Sequence, residues 1–596
     1  MHFIFSQTNF NSSLKINHGD GSTFDSYSND EENYNYSQAL YDMNFYSGPW
    51  NFHSQLEFSS PPEIGVSKKG LRRFTLSYSK NNYNILIGDI YKSWGKGLVL
   101  SQYDDISIGY DNGIRGASIV YNYDDLNIEF ISGIKDLHIY SNSNALLRVP
   151  DKKTLNNVIG LNFNNQLDNL NLGFSTLANK EKFAVNSFGS DSSVSSHNIN
   201  SFHGNYFGEN FDFSFEYAKK YTYINPALIQ IDFDLITFET DTTIRRSNSG
   251  RGFAFSSNYL FGVFGISFDY AYYSFFATDP TTRLAEPVPE QISQFQKPMV
   301  TSQEYAGSLL NRLTHLQDSN DEIGLNIALN MNIGENGSFN VNSSYASRTK
   351  EWYREEESDF IAGPWKIQKE DYIVPSKSAS SNPYEQHTIS YESFFQKGNY
   401  KVSFSKIHEI KTLYDNDISD TDKKTRYDLL DAVTVPLDLE YNLIGDYSIM
   451  INLAYQDIKR GTQTDYEIAP DSFVSIYQND KGKDQKRQYT NALNIGLSKS
   501  SKWSFNISIE KDKYNEAAGN SINTSINPLE KLFEPLFVTM DRTWISTELV
   551  YRFENETRLS LFYGSNKGGV SCANGVCRYY PGFSDGFRMQ LTKTIY

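Results

Sequence analysis

Three aspartates and one arginine lie close together near the start of the chain. The stretch GKGLVLSQYDDISIGYDNG carries Asp104, Asp105 and Asp111 next to an apolar run, and Arg115 follows it. If this stretch folds into a pore, carboxylates that face Arg115 or other basic residues form a charged lumen constriction of the kind that sets selectivity. The alternative is a structured external loop, and the residues alone leave both open.

Cys572 and Cys577 are the only cysteines and lie close together in CANGVC. In an oxidising cell envelope, this spacing predicts a disulfide that holds the tip of the last loop. Such a small ring constrains the unfolded chain only modestly, so we expect local ordering rather than a large gain in stability. A metal site would need more ligands, and no histidine lies nearby in the sequence.

Three further patterns resemble catalytic or metal motifs but fit them poorly. Ser584 in GFSDG matches G-x-S-x-G, yet it precedes a predicted strand, whereas hydrolases place this serine on a strand-to-helix turn. The acidic run at 415–422 fails the calcium-loop pattern at Asp420 and Arg426, which favours a solvated loop over a cation bridge to lipopolysaccharide. The nine histidines form no HExxH pattern. We therefore predict no catalytic, cofactor-binding or metal-binding residue, and no enzyme.

The elements that must position these residues alternate with period two. In EIGLNIALNMNIG, apolar side chains occupy Ile323, Leu325, Ile327, Leu329, Met331 and Ile333, and small or polar residues lie between them. The same alternation appears in FGISFDYAYYSFF, WSFNISIE and FDFSFEY. This periodicity predicts β-strands with one apolar face and one polar face. The closing segment GFRMQLTKTIY, residues 586–596, also has this pattern, as expected for a strand that closes a sheet.

The predicted strands are joined alternately by short and long connections. Gly, Asn and Asp turns suited to tight hairpins lie at 47–50, 81–82, 124–125, 208–210, 334–337, 396–399, 445–446 and 554–556. Long polar segments lie at 135–157, 180–196, 222–249, 277–321, 349–383, 411–432, 461–487, 515–542 and 569–586. In a meander this alternation places all short turns at one end. A sandwich has no reason to segregate loop lengths in this way, and a propeller would show a repeating signature.

These patterns predict an all-β fold, a single large antiparallel transmembrane β-barrel with short periplasmic turns and long extracellular loops. We expect about 24 strands, within a range of about 18 to 26. The barrel spans residues 11–596, with 92–114 as a candidate inward-folded loop, and residues 1–10 are either the stub of a signal peptide or a frayed N-terminus. No run approaches the roughly 18 apolar residues of a membrane-spanning helix, and 42 Tyr and 41 Phe favour strands.

Charge narrows the range of partners. Lys and Arg number 54 and Asp and Glu 71, so the net charge is −17, without a basic block. Nucleic acid is excluded, because its binding requires a cationic face. The expected location is the outer membrane of a Gram-negative bacterium. The expected partners are outer-membrane lipid and lipopolysaccharide, the barrel assembly machinery, and envelope or secretion proteins.

One stretch is similar to a known family. Residues 88–116, with Gly88, Asp89, Tyr91, Gly95, Gly97 and Leu98 in a GD-Y-x-x-x-G-x-G-L pattern, and the closing GGVSCANGVCRYYPGF resemble an uncharacterised domain-of-unknown-function family of outer-membrane barrels from Bacteroidota and related marine bacteria. The resemblance covers about thirty residues closely and implies a location and an architecture. It implies no activity.

The predicted function is that of a porin-like channel for small polar solutes, because a wide barrel leaves room for an aqueous lumen. The alternative is an occluded barrel that serves as a binding or secretion-associated scaffold through its long loops. A third reading is an envelope enzyme built from loops. A TonB-dependent receptor is disfavoured, because alternating strands begin without a plug-sized N-terminal domain.

Overall fold

A computed structural model describes most of the chain. The described residues are 8–24, 31–139, 148–150, 152–184, 192–233, 240–275, 293–303, 305, 309–358, 361–369, 372–413, 426–464, 487–514, 542–573 and 576–595. Within these ranges, 24 antiparallel strands form one closed barrel, and a short strand, Glu31–Asn33, pairs with the end of the first of them. The predicted fold class and the expected strand number are therefore confirmed.

The barrel strands are numbered in chain order. They are β1 Thr8–Phe24, β2 Tyr36–Ser47, β3 Trp50–Ser59, β4 Lys69–Lys80, β5 Tyr83–Ile90, β6 Ile114–Tyr123, β7 Leu126–Ile139, β8 Lys152–Leu167, β9 Leu170–Ala184, β10 Ser192–Phe207, β11 Phe211–Phe233 and β12 Thr240–Phe261. The second half comprises β13 Phe264–Ser274, β14 Glu322–Ile333, β15 Gly337–Ser347, β16 Tyr384–Phe395, β17 Gly398–Leu413, β18 Arg426–Asn442, β19 Tyr447–Thr464, β20 Arg487–Lys499, β21 Trp503–Tyr514, β22 Arg542–Arg552, β23 Thr557–Asn566 and β24 Phe583–Ile595.

The last strand closes the barrel against the first. Strand β24 pairs with β1 in a register that runs from Ser12 opposite Ile595 to Asp20 opposite Phe587. Neighbours in the sheet are otherwise neighbours in the chain, so the barrel is a simple meander. The predicted closing strand is confirmed, and pairing at this seam removes the two open edges that an unclosed sheet would expose.

Tight turns join the strands at one end of the barrel. Asn81, Asp124, Asp168 and Gly262 adopt positive φ values of 51°, 47°, 52° and 56° in these turns. Two-residue hairpins require this left-handed backbone, which Asn, Asp and Gly adopt at the least cost. The long segments therefore gather at the opposite end, as the loop lengths predict.

The two faces of each strand differ sharply. On β8, Ile159 and Leu161 are 49 % and 41 % exposed, whereas Asn156 and Asn162 are buried. Large apolar side chains on the outside and polar side chains on the inside reverse the arrangement of a soluble protein. This is the pattern of a transmembrane barrel, whose outer face contacts lipid.

Several strands extend further than the sequence pattern predicts. Residues 222–249, expected to be one long loop, hold the end of β11 and the start of β12. The loop between β15 and β16 contains a hairpin of Glu351–Ser358 with Ile361–Lys369. Beyond the bilayer both faces of a strand contact water, so the apolar alternation that marks a strand fades there while the hydrogen-bonded ladder continues.

Helical structure is minor. Among the described residues, the helices are short 3-10 segments at Ile106–Ile108, Leu309–Leu313 and Ala379–Ser381. None of the helices in this part of the chain is long and apolar enough to cross a membrane.

Candidate functional site

Residues 91–113, which connect β5 to β6, form the lumen insert. It contains short strand pairs, Ser93–Trp94 with Leu100–Ser101 and Asp104–Asp105 with Tyr110–Asp111, and one 3-10 turn. Its apolar side chains contact the inward faces of β7 to β10 rather than solvent. The connection thus lies inside the barrel.

An apolar core fixes the insert to the barrel wall. Trp94, Val99 and Leu100 pack with Ile131, Val158, Leu177 and Ile199 of four successive strands, and all are between 0 % and 3 % exposed. Gly160 makes room for the indole, because a Cβ at this position would lie 2.8 Å from Trp94 Cη2. The indole Nε1 donates to Glu129 Oε2 at 2.7 Å. This side of the lumen is therefore packed like a protein interior.

A buried carboxylate holds the turn at the tip of the insert. Glu216 Oε2, on the inward face of β11, accepts from the backbone N–H groups of Lys96 at 2.6 Å and Leu98 at 3.2 Å. Gly95 and Gly97 flank this turn with φ values of 55° and 83°. A side chain at Gly95 would lie 2.7 Å from the Glu216 carboxylate. The glycines of the family-like pattern thus let the backbone wrap closely around one carboxylate.

A bidentate ion pair anchors the far end of the insert. Arg72 donates to Asp104 Oδ1 at 2.5 Å and to Oδ2 at 2.8 Å, and Arg73 donates to Oδ2 at 2.9 Å. Two consecutive residues of a strand normally point to opposite faces. Here the register between β3 and β4 shifts after Gln55, leaving Arg72 without a direct partner, so both arginines turn inward. A β-bulge thus supplies the anchor.

The other predicted constriction residues have separate partners. Asp111 accepts from Lys135 at 2.9 Å and from the Tyr91 hydroxyl at 3.1 Å. Burial raises the pKa of the Asp111 carboxyl, but the pairing with Lys135 outweighs it, so the pKa lies below its usual range. Asp105 caps the 3-10 turn by accepting from the Ser107 backbone N–H at 2.8 Å.

Arg115 does not pair with the three aspartates of the insert. Its guanidinium donates to Asp89 on the neighbouring strand, with both distances at 3.0 Å. The structure therefore distributes the four predicted residues among separate contacts. The partners that sequence reasoning missed are Arg72, Arg73, Lys135 and Glu216. The only available signal was the Arg72–Arg73 pair, which interrupts the alternation of β4.

A second loop segment, residues 293–303, is called the companion segment. Its backbone N–H at Lys297 donates to Gly97 O at 3.1 Å, and its Phe295 O accepts from Ser101 N at 2.8 Å. The Gln296 side chain donates to Leu98 O at 2.5 Å. The lumen insert and the companion segment therefore form one hydrogen-bonded unit.

The opposite side of the lumen is polar nearer the turns. A side-chain ladder crosses four successive strands, in which Asn452 donates to Asp438 at 2.7 Å, Asn494 to Asn452 at 3.3 Å, and Ser508 to Asn494 at 3.2 Å. These four residues are called the asparagine ladder. They point inward and are partly exposed, so this wall can contact water.

Above the asparagine ladder, residues 309–321, called the third loop segment, are held by a buried histidine. His315 lies between Glu322 at 3.2 Å and Glu409 at 3.8 Å, and its ring centre lies 4.4 Å from that of Tyr384, with the two rings tilted by 31°. Burial lowers the pKa of His315, but the two carboxylates outweigh burial and raise the pKa to about 9. The imidazolium form is therefore favoured at neutral pH.

The remaining predicted residues fall in the last loop or outside the described chain. The backbone places Cys572 directly opposite Cys577 in a hairpin of Gly569–Ala573 with Val576–Tyr580, and the two side chains lie outside what is described, so the disulfide stays a prediction. Ser584 lies within β24, opposite Ser22. The acidic run at 415–422 lies outside the described residues. No group of three metal-ligating side chains occurs in the described ranges.

Comparison with known proteins adds a family and a set of similar barrels. A family of unknown function, DUF6029, matches residues 4–595. No curated protein matches the chain. Among solved structures, the siderophore receptor PirA from Acinetobacter baumannii is 8 % identical with a TM-score of 0.45, covering 99 % of this chain and 81 % of that one. The copper transporter OprC is 9 % identical with a TM-score of 0.43, covering 100 % of this chain and 82 % of that one. The FrpB iron transporter from Neisseria meningitidis is 10 % identical with a TM-score of 0.43, covering 98 % of this chain and 81 % of that one.

Proposed function

The chain belongs to the family of unknown function DUF6029, and from that premise we propose that it is an outer-membrane barrel closed at rest by its own loops. Short turns at one end, long loops at the other and an apolar outer face support placement in an outer membrane. In this orientation the long loops face the exterior and serve as a scaffold that binds an envelope or secretion partner.

The observation that carries the closed state is the apolar core inside the barrel. Trp94, Val99 and Leu100 are almost fully buried against inward-facing Ile131 and Leu177. In an open porin, water would contact these inward faces, and exposed apolar surface of this size would be unfavourable. The core forms only when the lumen insert fills this half of the barrel.

The asparagine ladder favours a second function, that of a gated channel for small polar solutes. Its members already exchange hydrogen bonds, and an inward amide wall offers water and polar solutes replacement partners. Passage along this wall would require the third loop segment, held by His315, to move. Neither function needs a catalytic group, and we propose no enzymatic role.

Single-channel conductance in a planar bilayer tests the closed state. The purified, detergent-folded protein is compared with a variant that lacks residues 95–112. Strand β5 ends at Ile90 and β6 begins with Ile114 directly opposite it, so the residues that remain can bridge the two strands. A variant shortened within the outer hairpin at 351–369 controls for loop removal as such.

We expect the intact protein and the hairpin variant to be silent, and the 95–112 deletion to give large steady steps. Large steady steps from the intact protein would refute the closed state and establish the porin-like channel. Silence from all three would refute the lumen insert as the closing element and direct attention to the third loop segment.

A further inference from the structure

Residues 372–382 form a segment on the outer wall of the barrel, called the external strap. It follows the outer hairpin in the chain and leads into β16. Its 3-10 turn packs through Ala379 against Ile410 of β17 and Leu429 of β18. Ile410 shares the outward face of β17 with the exposed Phe404. The external strap therefore lies outside the barrel, whereas the lumen insert lies inside it.

Hydrogen bonds fix the external strap on both sides of one short apolar stretch. The backbone N–H of Tyr372 donates to Thr349 O at 3.1 Å. The backbone N–H of Ser376 donates to the Ser347 hydroxyl at 2.9 Å. Between these two bonds, residues 373–375 have the sequence Ile-Val-Pro and are called the apolar tip. The position of the apolar tip is therefore set by the barrel rather than left to a free loop.

The side chains of the apolar tip point away from the protein. Ile373 and Val374 are 79 % and 62 % exposed. Elsewhere the external strap covers apolar side chains, since Ile410 and Leu429 are buried beneath it. Two adjacent β-branched residues held at a fixed place gain free energy only by leaving water. The apolar tip therefore fits an apolar partner.

Tyr270 places the apolar tip at the level of the outer leaflet. This tyrosine lies on the outward face of β13 together with the exposed Ile266, and its hydroxyl donates to Ile373 O at 2.8 Å. It is the seventh residue of β13, counted from Phe264 at the turn end. A tilted strand crosses the hydrocarbon core in about 9 to 11 residues. The apolar tip thus reaches down to the membrane-spanning part of β13.

The backbone of the apolar tip suits an apolar environment. Backbone groups that lack hydrogen-bond partners are costly in lipid. The carbonyl of Ile373 accepts from the Tyr270 hydroxyl, and Pro375 has no N–H group that needs a partner. The apolar tip can therefore enter lipid with two of its backbone positions already accounted for.

Charge returns directly after the apolar tip. The Lys377 ammonium lies 2.8 Å from Glu385 Oε1 on β16 and 5.9 Å from the ring centre of Tyr345 on β15. Tyrosine and lysine are typical of the membrane–water interface, where their rings and stems contact lipid and their polar groups contact water. The chain thus passes from an apolar to an interfacial residue within two positions, as expected for a segment that dips into a leaflet and leaves it again.

We propose that Ile373, Val374 and Pro375 insert into the acyl chains of the outer leaflet and anchor the external strap to the membrane surface. The occupant is membrane lipid, because the apolar tip continues the lipid-facing outer wall of the barrel at the level of Tyr270. The anchor rests on the outer-membrane placement proposed above and does not depend on whether the lumen is closed.

Spin labelling of the full chain in phosphatidylcholine vesicles tests the insertion. A nitroxide is attached to Ile373→Cys or Val374→Cys in a C572S/C577S background, and heat-modifiable migration on a gel verifies that each variant folds. Collisions with oxygen, which concentrates in lipid, and with a nickel complex, which stays in water, report the depth of the label. Ile327→Cys on the lipid-facing side of β14 and Glu335→Cys in the following turn serve as the lipid and water references.

We expect both labels in the apolar tip to give an oxygen-to-nickel collision ratio near that of the lipid reference. For the label at 374, adding Ile373→Ser should lower the ratio of inserted to free tip about tenfold, because burying one such side chain contributes a factor of this order. Tyr270→Phe removes the donor to Ile373 O and should lower it about three- to tenfold. Tyr345→Phe removes a hydroxyl from the same outer wall without affecting Ile373 and should leave the ratio unchanged.

Three results would overturn the anchor. Water-like ratios at both tip positions, with a lipid-like ratio at Ile327→Cys, would refute the insertion and leave the outer-membrane placement intact. A water-like ratio at Ile327→Cys would refute the placement and the anchor with it. A lipid-like label at 374 that responds to neither Ile373→Ser nor Tyr270→Phe would show that the nitroxide, and not the apolar tip, enters the lipid.

Discussion

Two regions of the lumen wall are built from the same alternating strands but are lined by different side chains. On β7 to β10 the inward residues Ile131, Val158, Leu177 and Ile199 are apolar and covered by the lumen insert. On β18 to β21 the inward residues Asp438, Asn452, Asn494 and Ser508 form a polar ladder. The polarity of the inward side chains thus matches what they contact: apolar residues contact a packed segment of the chain, and polar residues contact water.

The comparison predicts that truncating a large side chain destabilises the protein most where the lumen insert packs against the barrel wall. Trp94→Ala removes an indole that is 2 % exposed and deprives Glu129 Oε2 of its indole donor, while Lys92 stays at 2.6 Å from Oε1. We expect a loss of about 3–5 kcal/mol in the free energy of unfolding, measured by urea unfolding in detergent, together with the appearance of conductance.

The matched control for Trp94 is Trp503→Ala, which removes an outward tryptophan near the turns. We expect a loss below about 1.5 kcal/mol and continued silence in the bilayer, because lipid can fill the vacated space. Equal losses at Trp94 and Trp503 would show that the insert is not a packed core.

Neutralising one aspartate in each region compares the contribution of a buried charge with that of a partly exposed one. Asp104→Asn removes the carboxylate that Arg72 and Arg73 share and leaves only Arg72 with a second one, Glu57 at 3.3 Å. We expect a loss of about 3 kcal/mol in the free energy of unfolding. Asp438→Asn replaces a carboxylate acceptor by an amide oxygen that can still accept from Asn452 at a partly exposed position, and we expect a loss of less than about 1 kcal/mol. Unfolding in urea at pH 7 measures both, and a larger loss at Asp438 would reverse the assignment of the two walls.

The free energy of unfolding depends on pH with opposite signs through His315 and through Lys297. The raised pKa of His315, about 9, means that its contribution is complete below the unfolded value of 6.5 and is lost as pH rises through 9. Burial lowers the pKa of Lys297 in the companion segment to about 7, aided by Arg578. Since the unfolded lysine keeps its proton up to about 10.5, this group makes stability rise between pH 7 and 10.5.

The two contributions offset each other in the unaltered protein, so its stability should change little between pH 7 and 9. In His315→Gln the free energy of unfolding should rise with pH, because only the Lys297 contribution remains. In Lys297→Met it should fall with pH, because only the His315 contribution remains. Each change should be on the order of 2 kcal/mol across this range. Urea unfolding at a series of pH values measures both slopes. Identical slopes in the two variants would contradict the opposite signs.

The smallest expected effect lies in the asparagine ladder. Asn452→Ala removes one donor to Asp438 and one acceptor from Asn494. Water can replace both at this partly exposed wall, so we expect a loss of about 1 kcal/mol or less. In a variant that also lacks residues 95–112, the same change should alter ion selectivity while leaving the size of the steps nearly constant.

The sequence predicts the fold well, because a barrel strand shows a local alternation of apolar and polar residues. Lipid and lumen impose opposite demands on neighbouring residues, and the run from Ile323 to Ile333 shows this directly. Turn residues such as Asn81 and Asp124 mark where the strands reverse. The strand ends beyond the bilayer were missed, since water on both faces leaves no alternation to detect.

The candidate site was predictable only in outline. The candidate inward loop at 92–114 could be singled out by its apolar run among polar loops. Its partners could not be identified, because Glu216 lies about 120 positions away from Lys96 and reads as an ordinary polar-face residue of β11. Arg115 pairs with Asp89 on the adjacent strand. The basic residues that face Asp104 and Asp111 are Arg72, Arg73 and Lys135, whose positions in the sequence gave no indication of these contacts.

The seam between β1 and β24 has a consequence for the order of assembly. The hydrogen bond from Gln590 to Asn17 joins residues 573 positions apart, so the ring can shut only after all intervening hairpins are in place. Contacts of such high sequence separation form late and slowly. Until then the two outermost strands remain open edges, and the lumen insert has time to enter before the wall closes around it.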